Sequence, residues 1–400
     1  MSRSILALAT LTVVATACSP SIRLQVLEPS LVTSPPDVHR LAVVDRSRAK
    51  NVGEGILGAL ESIATGEGIG ADNEGRSRAM TAVVRGLQDS PRFDAAEVFV
   101  PRKELESSLF DKELSWATAK RICKDAGCQG IVALEAFDSD SSVNVDRRVT
   151  TETDSDGKER QVVTFEAQRR TNVVTAWRYY DVVNKQIIDD VRGWDSAYTW
   201  TETGPSVSAA RGALPPQGDA VSYVGSLAGA SYARRIAPTW VWVTRSYYGG
   251  GHPDLKLGKN HVRAMDWAGA VDIWDDLYRN GPDAKTRGKA AFNLALAAER
   301  EGDLRNAASW ATEAAVLLAN GRARGYRASL ERRLADQLKV QQQMELTAPG
   351  QVEEDRPLAK PHKPAPPSGR GPAGNRGTSG DAPPPPPPPK PGTRGPTGNR

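Results

Sequence analysis

Two short runs in this 400-residue sequence carry residue types whose spacing could do chemistry. Gly53-Glu-Gly55-Ile-Leu-Gly58 lies between an apolar strand pattern and a helical one, the order in which backbone N–H groups cradle a pyrophosphate. Such a turn needs its first glycine almost at the strand end, but Arg46–Val52 intervenes, and no strand-ending acid follows about 20 residues on. These glycines read better as helix-start and close-packing residues. Glu152-Thr-Asp154-Ser-Asp156-Gly157 offers alternate oxygens before a turn glycine, half of a calcium loop. The loop's twelfth position is Val163 and not a bidentate glutamate, so a hairpin turn on Asp156-Gly157 is expected instead. His39, His252, His261 and His362 are scattered and match no metal or triad pattern. Asp189 and Asp190 are strand neighbours and point to opposite faces. Trp194, Trp200, Trp240 and Trp242 are aromatic enough for a glycan platform, but core or sheet packing is the better reading. No catalytic residue, metal ligand set or cofactor is expected.

The sulfur chemistry is more informative. Cys123 and Cys128 lie five apart at the end of a helical pattern, open to a loop-closing disulfide or to two separately buried thiols. Two thiolates with no nearby histidine fall short of a zinc site. The third cysteine, Cys18, follows an uncharged apolar run, Ile5–Ala15, that is too short to span a bilayer but suits a signal-peptide core. Ala15-Thr16-Ala17-Cys18 resembles the lipobox of bacterial lipoproteins, with Ala15 in place of the larger aliphatic residue. The resemblance implies cleavage before Cys18, its acylation, and a membrane anchor in the cell envelope. Ser19 after it implies outer-membrane delivery.

Positioning elements follow from periodicity. Ile22–Glu28 and Arg40–Asp45 read as strands, Ile56–Ile63 as a helix, and Gly66–Gly75 as a glycine-rich loop before a helix at Arg76–Gln88. A strand at Ala96–Val100, a short turn at Leu105–Phe110, a helix at Trp116–Ala126 and a strand at Gly130–Phe137 come next. Val162–Tyr180 and Gln186–Thr203 alternate as a long hairpin, followed by a small-residue helix, Ala220–Ala237. Asp138, Asp140 and Asp146 read as a solvated face. This order predicts an α+β chain: an α/β layer domain with a long antiparallel hairpin.

The march from Leu41-Ala-Val-Val-Asp45 through Ser90-Pro-Arg-Phe93 to Tyr180-Asp181 resembles the periplasmic domain of the curli-secretion lipoprotein and related envelope lipoproteins. The opening at Ile22 and the run Thr239-Trp-Val-Trp-Val-Thr-Arg-Ser-Tyr-Tyr248 further resemble a domain-of-unknown-function family of bacterial lipoproteins. Leu257-Gly258, Asp266-Trp267, Ala270, Trp274, Leu277 and Pro282 are similar to a tetratricopeptide unit. A second, weaker unit runs through Leu294-Ala295, Ala298, Gly302-Asp303, Ala307, Ala311 and Ala314, with Gly325–Leu346 as a capping helix. The repeat resemblance implies a concave surface near Trp267 and Trp274 that holds a protein partner.

Charge completes the reading. The net charge of +4 equals that of residues 351–400, which hold eight Lys/Arg and four Asp/Glu, so the rest is neutral and no nucleic-acid partner is expected. That segment has two large apolar residues and no aromatics, and its proline run reads as polyproline II in a disordered tail. The tail is either a solubilising extension or a tether to peptidoglycan or another anionic envelope polymer. The expected organisation is a signal peptide (1–17), anchor and linker (18–39), α/β domain (40–250), helical repeats (251–346) and tail (347–400). The expected function is that of a membrane-anchored, non-catalytic scaffold or adaptor, with a self-assembling export component or a glycan-binding envelope protein as alternatives.

Overall fold

The computed structural model describes residues 19–47, 69–101, 104–105 and 112–345. Cys18, the expected lipidation residue, the glycine run 53–58, the helix expected at 56–63 and the tail expected at 347–400 lie outside the described residues. The described chain divides into two compact units, one holding Leu41–Arg85 and Ala95–Ala233, the other the segments up to Arg40, Gly86–Asp94 and from Arg234 onward. The architecture is α+β: a sheet with long strands, then a helical C-terminal region.

The first unit is built on a five-stranded sheet. Its strands are β2 (Arg40–Asp45), β3 (Asp94–Glu97), β4 (Gly130–Thr153), β5 (Glu159–Asp181) and β6 (Gln186–Gly204), in the order β3-β2-β4-β5-β6. β1 (Ser21–Glu28) belongs to the other unit. Leu41–Val44 and Ile131–Leu134 are buried without alternation, because β2 and β4 pair in parallel at the centre with both faces covered. Helix α2 (Trp116–Ala126) starts on a Ser115 cap and ends at Gly127, whose φ of 67° only glycine adopts freely. Its Ala119, Ile122 and Cys123 cover Ala42, Val44, Ile131, Ala133 and Tyr180. The opposite parity of β5 carries Val173 and Trp177 against α4 (Gln217–Ile236), where Trp177 stacks on Tyr232 at 4.9 Å.

Helix α1 (Ile69–Gln88) begins seven residues before the expected start, so Gly70–Gly75 is helix and not loop. Packing overrides propensity here: a Cβ on Gly225 would meet the Gly75 carbonyl oxygen at 2.4 Å, and one on Gly229 that of Ala79 at 2.1 Å. Glycines let α1 and α4 cross backbone to backbone. β4 also runs well past Phe137, to Thr153, paired with β5 along its length. The tip is the expected turn: Asp154 accepts from the N–H groups of Asp156 and Lys158, and Gly157 has φ 78°. β3 lies two residues earlier than its apolar pattern, and a short helix, α3 (Val207–Ala213), covers Ala167 on the hairpin.

In the second unit β1 pairs antiparallel with β7 (Thr239–Ser246) in register Ser21↔Ser246 to Glu28↔Thr239. Five helices follow: α5 (Pro253–Arg263), α6 (Trp267–Asn280), α7 (Ala284–Glu301), α8 (Leu304–Leu318) and α9 (Gly321–Glu345), each packed against the next. Asp266, Asp283 and Asp303 cap α6, α7 and α8 through side-chain oxygens that accept N–H groups of the first turn. The N–H of Gly269, then the His261 side chain, hold the Asp266 carboxyl below its ordinary value of 3.8; Thr286 does the same for Asp283. A depressed folded value contributes stability above 3.8 that is lost as pH falls through the folded value. The double variant Asp266→Asn/Asp283→Asn keeps the acceptors without the titration. Its helical circular dichroism should therefore resist acidification better than that of the unchanged chain, and identical acid profiles would contradict this assignment.

Candidate functional site

The helical unit is organised around buried aromatics. Trp274 is fully buried and Trp267 is 9% exposed; their rings meet edge to face at 6.5 Å, and Tyr247 lies 6.2 Å from Trp274. Both tryptophans, expected on a partner-facing concave surface, are therefore core side chains. The small-residue pattern that marks them also explains this: a Cβ on Gly258 would fall 2.3 Å from Trp274 Nε1, so glycine in α5 is what admits the indole.

The chain itself fills one side of the helices. From β7, Arg245 pairs with the buried Glu299 of α7, which also accepts from the Tyr326 hydroxyl and from Arg333 of α9. The Asn293 side chain accepts from the Tyr248 N–H and donates to its carbonyl, both at 2.8 Å. An open groove lies between α6 and α8, lined by Tyr278, Asn306, Ser309, Trp310, Thr312 and Glu313. Tyr278 and Trp310 are half-buried and meet edge to face at 4.9 Å, and the Tyr278 hydroxyl donates to Glu313 at 3.0 Å. Neither aromatic was singled out from the sequence. The available signal is that Trp310 lies just off the buried stripe Ala307, Ala311 and Ala314, at the edge of the apolar face.

The sheet unit holds a second cluster. Glu135 is the extra residue of a β-bulge, between Leu134↔Trp177 and Ala136↔Ala176. The bulge turns its carboxylate inward, where Arg46 Nη1 donates to both oxygens at 2.6 and 2.8 Å and the Tyr180 hydroxyl donates at 3.1 Å. Arg178 stands 3.5 Å from the same carboxylate and pairs with Asp190 at 3.0 Å. Arg46 also donates to the Lys112 carbonyl, and the Tyr180 oxygen accepts the Leu114 N–H. Burial, then the charge of Glu135, pushes the Tyr180 phenol up, so it stays protonated and donating. The Arg46 and Glu135 side chains are fully enclosed. The cluster is a brace across β2, β4 and β5.

The remaining sequence candidates resolve similarly. Cys123 and Cys128 are joined by a disulfide. Buried Arg92, of the run Ser90–Phe93, donates to the carbonyls of Pro35 and Val38. Asp181 accepts the N–H groups of Val183 and Asn184, closing the β5–β6 turn. Trp194 and Trp200 are half-buried, Trp200 lying against Tyr198 and Tyr223, whereas Trp240 and Trp242 are exposed. Among the described residues no group of three or more His, Cys, Asp or Glu is placed to hold a metal ion, and no helix is long and apolar enough to cross a membrane.

No curated protein matches the chain. Residues 256–338, the helical unit, are similar to a family described as domain of unknown function DUF6340. Residues 38–248, more than half of the chain and the whole of the sheet unit, match the domain of unknown function DUF8603, and the chain belongs to that family.

Proposed function

We propose that this chain is a cell-envelope lipoprotein, held to the outer membrane through acylated Cys18, that works as a non-catalytic scaffold for a protein partner. The observation that carries the reading is the open groove between α6 and α8, where an aromatic pair stands beside a carboxylate on a packed helical stack. The α5–α6 and α7–α8 pairs, with Gly258 and Ala270 at the first seam, support a tetratricopeptide-like stack, which binds extended segments on its surface. Tyr278 and Trp310 offer ring faces to an apolar or proline side chain, and Glu313 offers a partner to a Lys or Arg beside it. The Cys123–Cys128 bond supports an oxidising compartment, as export requires.

Placing a photo-crosslinking amino acid at Ser309 of the full chain in intact cells tests the groove. One discrete protein adduct is expected, weakened about tenfold by Glu313→Lys, the change produced by a loss of about 1.4 kcal/mol. An adduct indifferent to both Glu313→Lys and Trp310→Ala would remove the groove from the proposal. Membrane recovery of Cys18→Ala at unchanged levels would remove the anchor.

One observation favours a second reading, self-assembly as in the curli-secretion lipoproteins. β6 ends the sheet and runs 19 residues, and its outer edge pairs with no strand among the described residues. Such an edge is a template for a strand of another copy. A monomeric mass in mild detergent would count against it.

A further inference from the structure

Among the described residues, the β1–β7 sheet has one covered face and one largely exposed face. Ile22 and Leu24 pack into the helical core beside Trp274, Val26 is buried, and Arg245 is tied to Glu299. The alternate residues point the other way: Arg23, Gln25 and Leu27 on β1, and Trp240, Trp242 and Thr244 on β7, in register Arg23↔Thr244, Gln25↔Trp242 and Leu27↔Trp240. Trp242 is 58% exposed and Trp240 38%, and the Arg23 guanidinium lies 4.9 Å from the centre of the Trp242 ring. Two exposed tryptophans at a two-residue spacing, with one cation and no carboxylate among these six positions, form an amphipathic ledge.

We propose that this ledge rests on the lipid surface, with Trp240 and Trp242 at headgroup level and Arg23 toward anionic headgroups. The proposal deepens the anchored-lipoprotein reading and rests on it for location. The occupant follows from the position of the anchor: Ser21, where β1 starts, is three residues from Cys18, at most about 11 Å along an extended chain. An acylated Cys18 brings that strand to the interface, whichever way the sheet turns. Indole rings favour this zone because the ring is apolar while its N–H stays hydrated. Arginine there gains from anionic lipid, and a carboxylate would be repelled. A strand lying along the surface then gives the protein a fixed orientation, which a flexible acyl tether alone does not.

The test uses the acylated full chain in vesicles of phosphatidylcholine and phosphatidylglycerol whose acyl chains are brominated near the headgroup. Part of the tryptophan emission should be quenched in the unchanged chain and not in Trp240→Phe/Trp242→Phe, with both chains fully vesicle-bound. Arg23→Gln should weaken the dependence of quenching on phosphatidylglycerol. Equal quenching in the unchanged and double-substituted chains would overturn the proposal. So would an emission change with soluble peptidoglycan fragments that the double variant abolishes while brominated lipid leaves Trp240 and Trp242 unaffected, because the ledge would then be a glycan platform. Cys18→Ala separates the two ideas. Lack of acyl mass on Cys18 in the unchanged chain defeats the anchor alone; the ledge then stands if unacylated chain added to these vesicles still shows the Trp240- and Trp242-dependent quenching, and falls if it does not.

Discussion

Glu135→Ala is expected to lower the unfolding free energy by about 3–5 kcal/mol, the cost of removing one partner from a buried ion pair. The size follows from what stays behind. The Arg46 side chain is fully enclosed and would face a cavity in place of the carboxylate that accepts two of its hydrogen bonds. Arg178 keeps Asp190, and the Tyr180 hydroxyl loses its acceptor. Urea unfolding of the full chain, followed by far-ultraviolet circular dichroism, should show the sheet transition at a lower midpoint with its denaturant dependence unchanged. The informative control is simultaneous replacement of the cluster, Arg46→Met, Glu135→Leu and Arg178→Met, which leaves no unpaired charge at its centre. Well-packed apolar replacements of buried ion pairs are often neutral or stabilising, so the triple variant should recover much of the loss. A triple variant worse than Glu135→Ala would mean that the attraction among these charges, and not the penalty of stranding one, holds the brace.

That cluster also marks the boundary of what the sequence discloses. An acid inside the apolar run Ile131-Val-Ala-Leu-Glu-Ala-Phe137 must have a buried partner, so its presence alone announces a polar interior site. Which groups answer it depends on a bulge and on pairing with Arg46, 89 residues away, neither of which leaves a local pattern. The same distinction runs through the fold. The run buried on both faces in β2 was legible because burial imposes it directly, whereas β5 alternates only in part and is buried on both faces from Thr175 to Asp181. The outer half of β4 was legible only in part: the apolar pattern stops at Phe137, while Asp138, Asp140 and Asp146 read as the solvated face of a β region, and β5 supplies the backbone partners that carry the strand to Thr153. The pairing of β1 with β7 joins the two ends of a long intervening sequence and left no local pattern, so Trp240 and Trp242, expected to pack in a core or sheet, lie instead on the exposed face of that two-stranded sheet. On the helices, the small and large residues of α5 and α6 announced a packed seam. They did not announce that β7 fills the adjacent side of α7 and leaves Tyr278 and Trp310 as the open aromatics.

The sharpest consequence of that last point is an expected result for Trp274. A surface tryptophan replaced by alanine would weaken a partner and leave the fold intact; Trp274→Ala should instead cost about 3–5 kcal/mol of stability, the range for emptying a large buried aromatic site. The indole is fully buried among Tyr247, Trp267 and Leu277, so the void cannot be closed by one neighbour. Two companion variants separate volume from hydrogen bonding. The Trp274 N–H is buried without an acceptor, so Trp274→Phe, which removes the unsatisfied donor along with part of the ring system, should cost much less than alanine. Gly258→Ala inserts a methyl group where the indole lies and should cost about 1–3 kcal/mol through overpacking, since a rigid buried ring cannot swing aside. Combining Gly258→Ala with Trp274→Phe should be less damaging than the sum of the two, because the smaller ring makes room for the added methyl. Thermal unfolding of the four proteins, read by helical circular dichroism, decides it. Strict additivity would show that Gly258 acts through the α5 backbone and not by making space for Trp274.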